Sequence, residues 1–499
     1  MLVKDRVRAA GSLMEGLGMC AQRSSAGSIA VVGGTLIDGT GRPPVDDSVV
    51  LVDKGRILAC GPRSALEPPS EFRIADASGA FVIPGLVDTN VHLAPWYPIE
   101  NFIRYYHRSV DVALESAQML LRAGVTTVRD SYGPLVPLLT ARDSIERGDA
   151  TGPRLYVAGN IVGYGAHRSM TFEAWGLSYF YRGLPGLMDG STSYLTETLQ
   201  DEITQGVGEE LVLLEPRELA SAINAYLDKG VDFLKFGGTT HVVTPSLILF
   251  SPRQQEAIVA EVHRRGKVAE THSTSPEGLR ISLLAGVDVV QHPEILDGVT
   301  MSDELVQLHR SLNVTCSMNV DYWTGRAWAD FLNEREEYER TRKDPGRPLT
   351  GRERRLEWYW RRDSWRINAK KLIEAGCRIS TASDSLTLPP RGQMRGDEPF
   401  FSQMIHAPGD ATLRSIEGLV EIGMSPMDAL VSATKNGAMA SHALEEYGTI
   451  EVGKSADMLI LDGDPLQDIH NIRKLSTVIA RGQIIDTGSL PTAPVHFSP

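Results

Sequence analysis

The chain has 499 residues, 42% of them hydrophobic and 23% charged, with a formal net charge of −13 and a pI near 5.5. That acidity argues against a general nucleic-acid or anionic-membrane binder, and no apolar run is long enough for a membrane-spanning helix. Four widely spaced cysteines (Cys20, Cys60, Cys316 and Cys377), with no Cys-x-x-Cys pair, indicate neither a disulfide framework nor a zinc ribbon and suit a reducing cytoplasm.

Residues 1–27 are expected to be an N-terminal extension. Lys4, Arg6 and Arg8 precede "GSLMEGLGMC", but Glu15 interrupts that apolar stretch and Met19 is bulky for a cleavage site before Cys20. Residues 28–80 read as short strands, "SIAVVGGTLIDG", "SVVLVDKGRILACG" and "FRIADASGAFVIPG", punctuated by Gly and Asp. The texture then changes. "FVIPGLVDTNVH", "GVTTVRD", "PRLYVAGNI", "VDFLKFGG", "KVAETHS", "VDVVQHP", "NVTCSMN" and "CRISTASDS" are strand-like, and amphipathic stretches separate most of them. This alternation predicts βα units in a parallel sheet, an α/β fold closing as a (β/α)8 TIM-like barrel over residues 81–445. Residues 446–499 return to β texture with "ADMLILDGD" and "STVIARGQIIDTG". They are expected to join residues 28–80 as a small β-sandwich domain built from both chain ends.

Residues 319–376 exceed what one barrel helix requires. They carry Trp323, Trp328, Trp358, Trp360 and Trp365 among charges of both signs. Most of these Trp are expected to pack on the barrel, with one or two lining the substrate pocket.

Polar residues recur at the strand ends: Asn90 and His92 in the first, Lys235 in the fourth, His272 after the fifth, His292 after the sixth and Asp384 after the eighth. In a barrel those ends meet at one mouth. Imidazoles, an amide and a carboxylate gathered there would make a metal site with room for water. Each residue alone has a plainer explanation. A strand-end His is often only hydrogen-bonded, Lys235 could snorkel to solvent or pair with Asp232, and Asp384 could serve as a helix N-cap. The order and spacing of the set carry the reading.

These segments resemble the metal-dependent amidohydrolase superfamily, in the branch of imidazolonepropionase-like proteins and Xaa-Pro dipeptidases. "VIPGLVDTNVH" looks like the first-strand motif, in which His-x-His is usual. "GVDFLKFGG" is similar to the segment whose lysine becomes carboxylated. "VAETHS", "GVDVVQHPEIL" and "STASDS" are similar to the later His and Asp segments, and residues 423–469 to the family's C-terminal signature. Asn90 departs from His-x-His. Asn-x-His resembles a subgroup, the phenylurea hydrolases and the molinate hydrolase.

The resemblance implies two divalent metals (Zn, Fe or Co) per subunit, bridged by carboxylated Lys235. Asn90, His92 and Asp384 would hold one, and His272 and His292 the other. It also implies attack by a metal-bound hydroxide, with Asp384 shuttling the proton to the leaving nitrogen. The expected reaction is hydrolysis of an amide-like C–N bond in a small molecule, such as an N-aryl or N-alkyl urea, a carbamate or thiocarbamate, or an anilide. A homo-oligomer without nucleic-acid or membrane partners is expected. In the loop after the third strand, His167 is placed to donate to a substrate carbonyl and Arg168 to bind a carboxylate, or both are loop residues with local partners. Aromatic residues near the strand ends, such as Trp96, Phe172 and Trp175, favour an apolar substrate. The alternatives are an Xaa-Pro dipeptidase or other amidohydrolase, and a metal-free barrel serving as a scaffold.

Overall fold

The computed structural model describes residues 27–94, 105–165, 201–241, 246–341, 362–386 and 407–493. The expectations for the N-terminal extension, for His167 and Arg168, and for Trp358 and Trp360 lie outside those residues.

Eight parallel strand positions follow the sequence-predicted order: Leu86–His92, Val125–Asp130, Arg154–Val157, Leu234–Gly237, Ala269–His272, Val289–Gln291, Thr315–Met318 and Arg378–Thr381, the last continued by Ser385–Leu386. The fourth to the eighth form one parallel sheet, and Ser385–Leu386 with the first three forms another. An isolated parallel bridge, Val162 to Phe236, connects the third strand's region to the fourth, and Ser385 pairs with Val91 of the first. The architecture is α/β and TIM-barrel-like.

Local sequence explains the helices between strands. Ser251, Ser275 and Ser425 each precede a proline and accept a backbone N–H from the first helical turn, starting Pro252–Arg264, Pro276–Leu284 and Pro426–Ser432. Serine satisfies an orphan donor, and proline at the first position loses no hydrogen bond. Helix Ser109–Arg122 buries Val112, Ala113, Ser116, Ala117, Leu120 and Leu121, the spacing of one helical face turned to the core.

The flanking segments form two further sheets. One contains Arg56–Pro62, Ser48–Asp53, Ile29–Val32 and Arg73–Asp76. The other interleaves the chain ends: Gln483–Ile484, Leu475–Ala480, Met458–Leu461, Phe81–Pro84 and Thr35–Leu36. Val31, Val50 and Val52 of the first share a buried cluster with Val82, Met458, Ile460 and Ile479 of the second. The strand read as "FVIPGLVDTNVH" is therefore two elements. Phe81–Pro84 pairs antiparallel with Met458–Leu461, and only Leu86–His92 joins the parallel set. Gly85 thus separates the half that joins the flanking sheet from the half that joins the parallel set. Glycine is required there, because a Cβ at position 85 would overlap Thr126 of the neighbouring strand.

The segment after the seventh strand packs as expected where it is described. Trp323 and Trp365 are buried and meet edge-to-face at 5.4 Å, and Arg366 lies over the Trp328 ring.

Candidate metal centre

The strand ends bring two donor pairs together. His92 Nε2 lies 3.0 Å from Asp384 Oδ1, and His272 Nδ1 lies 3.1 Å from His292 Nε2. Asn90 joins the first pair, its Nδ2 2.9 Å from Asp384 Oδ1 and its Oδ1 accepting from Ser131 Oγ. Lys235 Nζ donates to the same Ser131 hydroxyl at 3.2 Å. His92, Asn90, Lys235, His272 and His292 are all 5% exposed or less. Among the described residues, no three His, Cys, Asp or Glu side chains alone gather closely enough to hold an ion. The amide and the lysine therefore matter to any complete donor set.

The hydrogen-bond roles are informative. The Tyr132 carbonyl, 2.9 Å from His92 Nδ1, can only accept, so Nδ1 carries the hydrogen. His92 Nε2 then faces a carboxylate oxygen with either a proton or another cation between them. His272 Nε2 and His292 Nδ1, on the far edges of the two rings, are buried without a hydrogen-bond partner among the described residues. A spacing of 3.1 Å between the facing nitrogens of these rings is about what two imidazoles adopt at roughly 2.0–2.1 Å from one zinc ion. The donor set fits a divalent metal.

Burial, and then the neighbouring His292, holds His272 well below the usual imidazole range. His292 is lowered by burial to about 4. Neutral imidazoles are the ligating form. Burial pushes Lys235 down, against the pull of Glu270, Asp384 and Asp130. No carboxylate among the described residues forms an ion pair with it, and Asp232, its possible partner by sequence, pairs instead with Arg142 at 2.9 Å. Although burial opposes it, Asp384 is held well below the ordinary carboxylate range by its hydrogen bond to His92 and the charges of His92, His292 and Lys235.

The frame around the site is also polar. Asn319 Nδ2 donates to Asp384 Oδ2 at 3.3 Å, and Tyr322 OH to the Asp384 carbonyl at 3.1 Å. Both residues stand at the start of the Trp-rich segment. Beneath the histidines a fully buried Arg129–Glu270 pair spans 2.7 Å. Sequence reasoning did not single out Ser131, His241, Asn319 or Tyr322. His241 packs on His272 with ring centroids 4.7 Å apart. Its only sequence signal was a histidine soon after the lysine segment, in "KFGGTTH". A groove of about 490 Å³ lined by Leu283, Asp288, Arg378 and His442 lies at the strand starts, away from this site.

Residues 81–485 match the amidohydrolase family. The chain belongs to that family. This bears out the resemblance read from the strand-end motifs, and with it the reading of the chain as a hydrolytic enzyme. Enzymes of the family generally use divalent metals. The structure of molinate hydrolase superposes with a TM-score of 0.80 at 30% identity, covering 95% of this chain and 97% of that one. Phenylurea hydrolase B gives 0.79 at 28% identity, covering 95% and 100%. An imidazolonepropionase of Sphingopyxis alaskensis is 24% identical over 433 residues, 86% of this chain and 90% of that protein. A 5-methylthioadenosine/S-adenosylhomocysteine deaminase of Symbiobacterium thermophilum is 32% identical, but this chain spans only 34% of its length. No described helix is long and apolar enough to cross a membrane.

Proposed function

We propose that this amidohydrolase cleaves an amide-like C–N bond, and that Asn90, His92, Lys235, His272, His292 and Asp384 hold two divalent metals. One observation carries the metal reading: lone-pair donors face one another across the site, His92 Nε2 toward Asp384 Oδ1 and His272 Nδ1 toward His292 Nε2. Such pairs are stable only with protons or cations between them. Turning the Asn90 amide over would set its oxygen beside Asp384 Oδ1, which also calls for a cation, while Ser131 Oγ can serve either amide end. Lys235 is buried, pushed toward the neutral amine and without an ion-pair partner among the described residues. A neutral amine can take up carbon dioxide to become an anionic two-oxygen ligand, so we assign it as the carboxylated bridge.

Metals bound there would polarise a carbonyl and make a bound water acidic. Asp384, kept ionised by its neighbours, would take a proton from the attacking water and pass it to the leaving nitrogen. Asn319 and Tyr322 hold it in place for both transfers.

The substrate class we favour is an N-aryl or N-alkyl urea, a carbamate or thiocarbamate, or an anilide. The likeness to molinate hydrolase and phenylurea hydrolase B along nearly the whole chain supports it, as does Asn90 in place of the first histidine. An Xaa-Pro dipeptidase would need a cationic anchor for its carboxylate. The buried cluster shared by the two flanking sheets supports a β-sandwich domain. The described cysteines, Cys60, Cys316 and Cys377, are free thiols, in keeping with a reducing compartment.

The test is a hydrolysis panel of N-aryl ureas, thiocarbamates, anilides and Xaa-Pro dipeptides with Zn-, Co- and Fe-loaded protein, with metals per subunit counted in parallel. A protein that binds no metal, or that prefers the dipeptides in kcat/KM over every other compound, would overturn this reading.

A further inference from the structure

Three members of the proposed donor set are joined through a hydroxyl that is not itself a member. Ser131 directly follows the second strand, Val125–Asp130. Its backbone N–H donates to the Val91 carbonyl at 3.2 Å, and the Asp130 carbonyl before it accepts from the Ala158 N–H at 3.0 Å. The residue is therefore pinned between the first and third strands, and it is fully buried. Lys235 Nζ donates to its Oγ at 3.2 Å, and Oγ donates to Asn90 Oδ1. Asn90 Nδ2 in turn donates to Asp384 Oδ1 at 2.9 Å.

The hydrogens of this chain all point one way, from lysine through hydroxyl and amide to carboxylate. That direction turns the Asn90 amide nitrogen toward Asp384, and an amide nitrogen has no lone pair to offer a cation. The amide must turn over before its oxygen can serve there. Its nitrogen then needs an acceptor on the opposite side, and Asn90, also fully buried, has no bulk water to supply one. Ser131 Oγ already stands on that side. With two lone pairs and one rotatable hydrogen, it can change from donor to acceptor without moving its oxygen. Its own hydrogen is then released toward Lys235, whose carbamate would offer oxygens to receive it.

We propose that Ser131 is a positioning residue, whose hydroxyl accepts from the turned Asn90 amide and so holds the Asn90 oxygen toward the metal. The proposal rests on the metal-centre reading above and deepens it. It also explains how a neutral amide, the weakest donor of the set, is kept in its ligating orientation. Partners that orient a ligand from behind are commonly worth about 10–100-fold in metal affinity.

Zinc affinity would be measured by chelator competition for the wild type, Ser131→Ala, Ser131→Thr, Asn90→Ala and the double variant Ser131→Ala, Asn90→Ala. The melting temperature of each without metal would be taken alongside. We expect Ser131→Ala to bind zinc about tenfold or more weakly and to melt within a few degrees of the wild type. Ser131→Thr restores the hydroxyl and should bind more tightly than Ser131→Ala. In the Asn90→Ala background, Ser131→Ala should add no more than about two- to threefold, because the group it orients is gone. Wild-type affinity in Ser131→Ala would overturn the proposal. So would the full loss recurring in the Asn90→Ala background, or a threonine that binds no better than alanine. A Ser131→Ala protein that melts far below the wild type before metal is added assigns the residue to the fold, and overturns it too. A wild type that binds no zinc would overturn the metal reading itself, and this proposal with it.

Discussion

Replacing Arg129 with methionine is expected to destabilise the fold by about 3–5 kcal/mol, although Arg129 makes no contact with the donor atoms. Arg129 and Glu270 side chains are both fully buried, with Nη2 and Oε2 2.7 Å apart. The guanidinium also donates to the Ala440 carbonyl at 2.9 Å and lies 3.9 Å over the Phe233 ring. Glu270 accepts at its other oxygen from Gln291 at 2.7 Å. The network ties the second, fifth and sixth strands to helix Lys435–Ala440 one layer below the histidines. Removing the arginine leaves a buried carboxylate held by one amide. The cost is set by that unpaired charge rather than by the worth of the pair, and it is a large part of a typical fold's 5–15 kcal/mol. The double variant Arg129→Met, Glu270→Met removes both charges and should recover most of the loss. Urea denaturation followed by tryptophan fluorescence would read both. The reasoning fails if Arg129→Met stays within about 1 kcal/mol of wild type, or if the double variant is as damaged as the single.

Lys235→Ala should lose metal and activity together, because the carbamate would supply the anionic bridge. Full activity in that variant would remove Lys235 from the site. Asn90→Ala should lower both metal content and kcat, whereas Asn90→His should bind metal at least as tightly with a changed metal preference, since imidazole is the stronger donor. Unchanged content and rate in Asn90→Ala would make Asn90 a spectator. Burial lowers His309, beside Cys316 Sγ at 3.1 Å, to about 4. Its folded value lies below the unfolded one near 6.5, so the fold binds fewer protons. Stability is complete above pH 6.5 and falls as pH drops toward 4, by up to roughly 3 kcal/mol. His309→Gln should flatten the pH dependence of the denaturation midpoint across that window. An unchanged slope would refute the assignment.

Much of the parallel core was legible because each strand is a short apolar run ending in a residue that an apolar core would not choose. Lys235 inside "FLKFGG" is costly to bury without a purpose, and that cost made it visible. The change of sheet at Gly85 was not legible. "FVIPGLVDTNVH" is a continuous β pattern, and periodicity cannot show that its halves pair with different sheets. His241 was missed for a different reason. It lies beyond its strand, where no alternation constrains a side chain, and its place is set by Tyr164 and His272, which are remote in sequence. Ser131 and Asn319 look like ordinary strand-end polar residues until the barrel-like fold brings Asn90, Lys235 and Asp384 beside them.

The backbone supplies an independent argument that these residues were placed and did not drift there. His292 and Asp384 both adopt positive φ, 36° and 50°, in the left-handed region that glycine prefers. Each such residue costs on the order of 1 kcal/mol and persists only where its surroundings force it. They do so here. His292 N–H is fixed by the Ser317 carbonyl at 2.7 Å, and Asp384 N–H by the Asn90 carbonyl at 2.8 Å. Each bond reaches to a neighbouring strand of the parallel set, so relaxing either turn would break an inter-strand contact. Glycine would relieve the strain at both positions but would remove an imidazole from one donor pair and the carboxylate from the other. The chain keeps the side chains and accepts the strained turns. A barrel serving only as a scaffold would be more stable with glycine or asparagine at either place, so the strain held at His292 and Asp384 supports the proposed metal site.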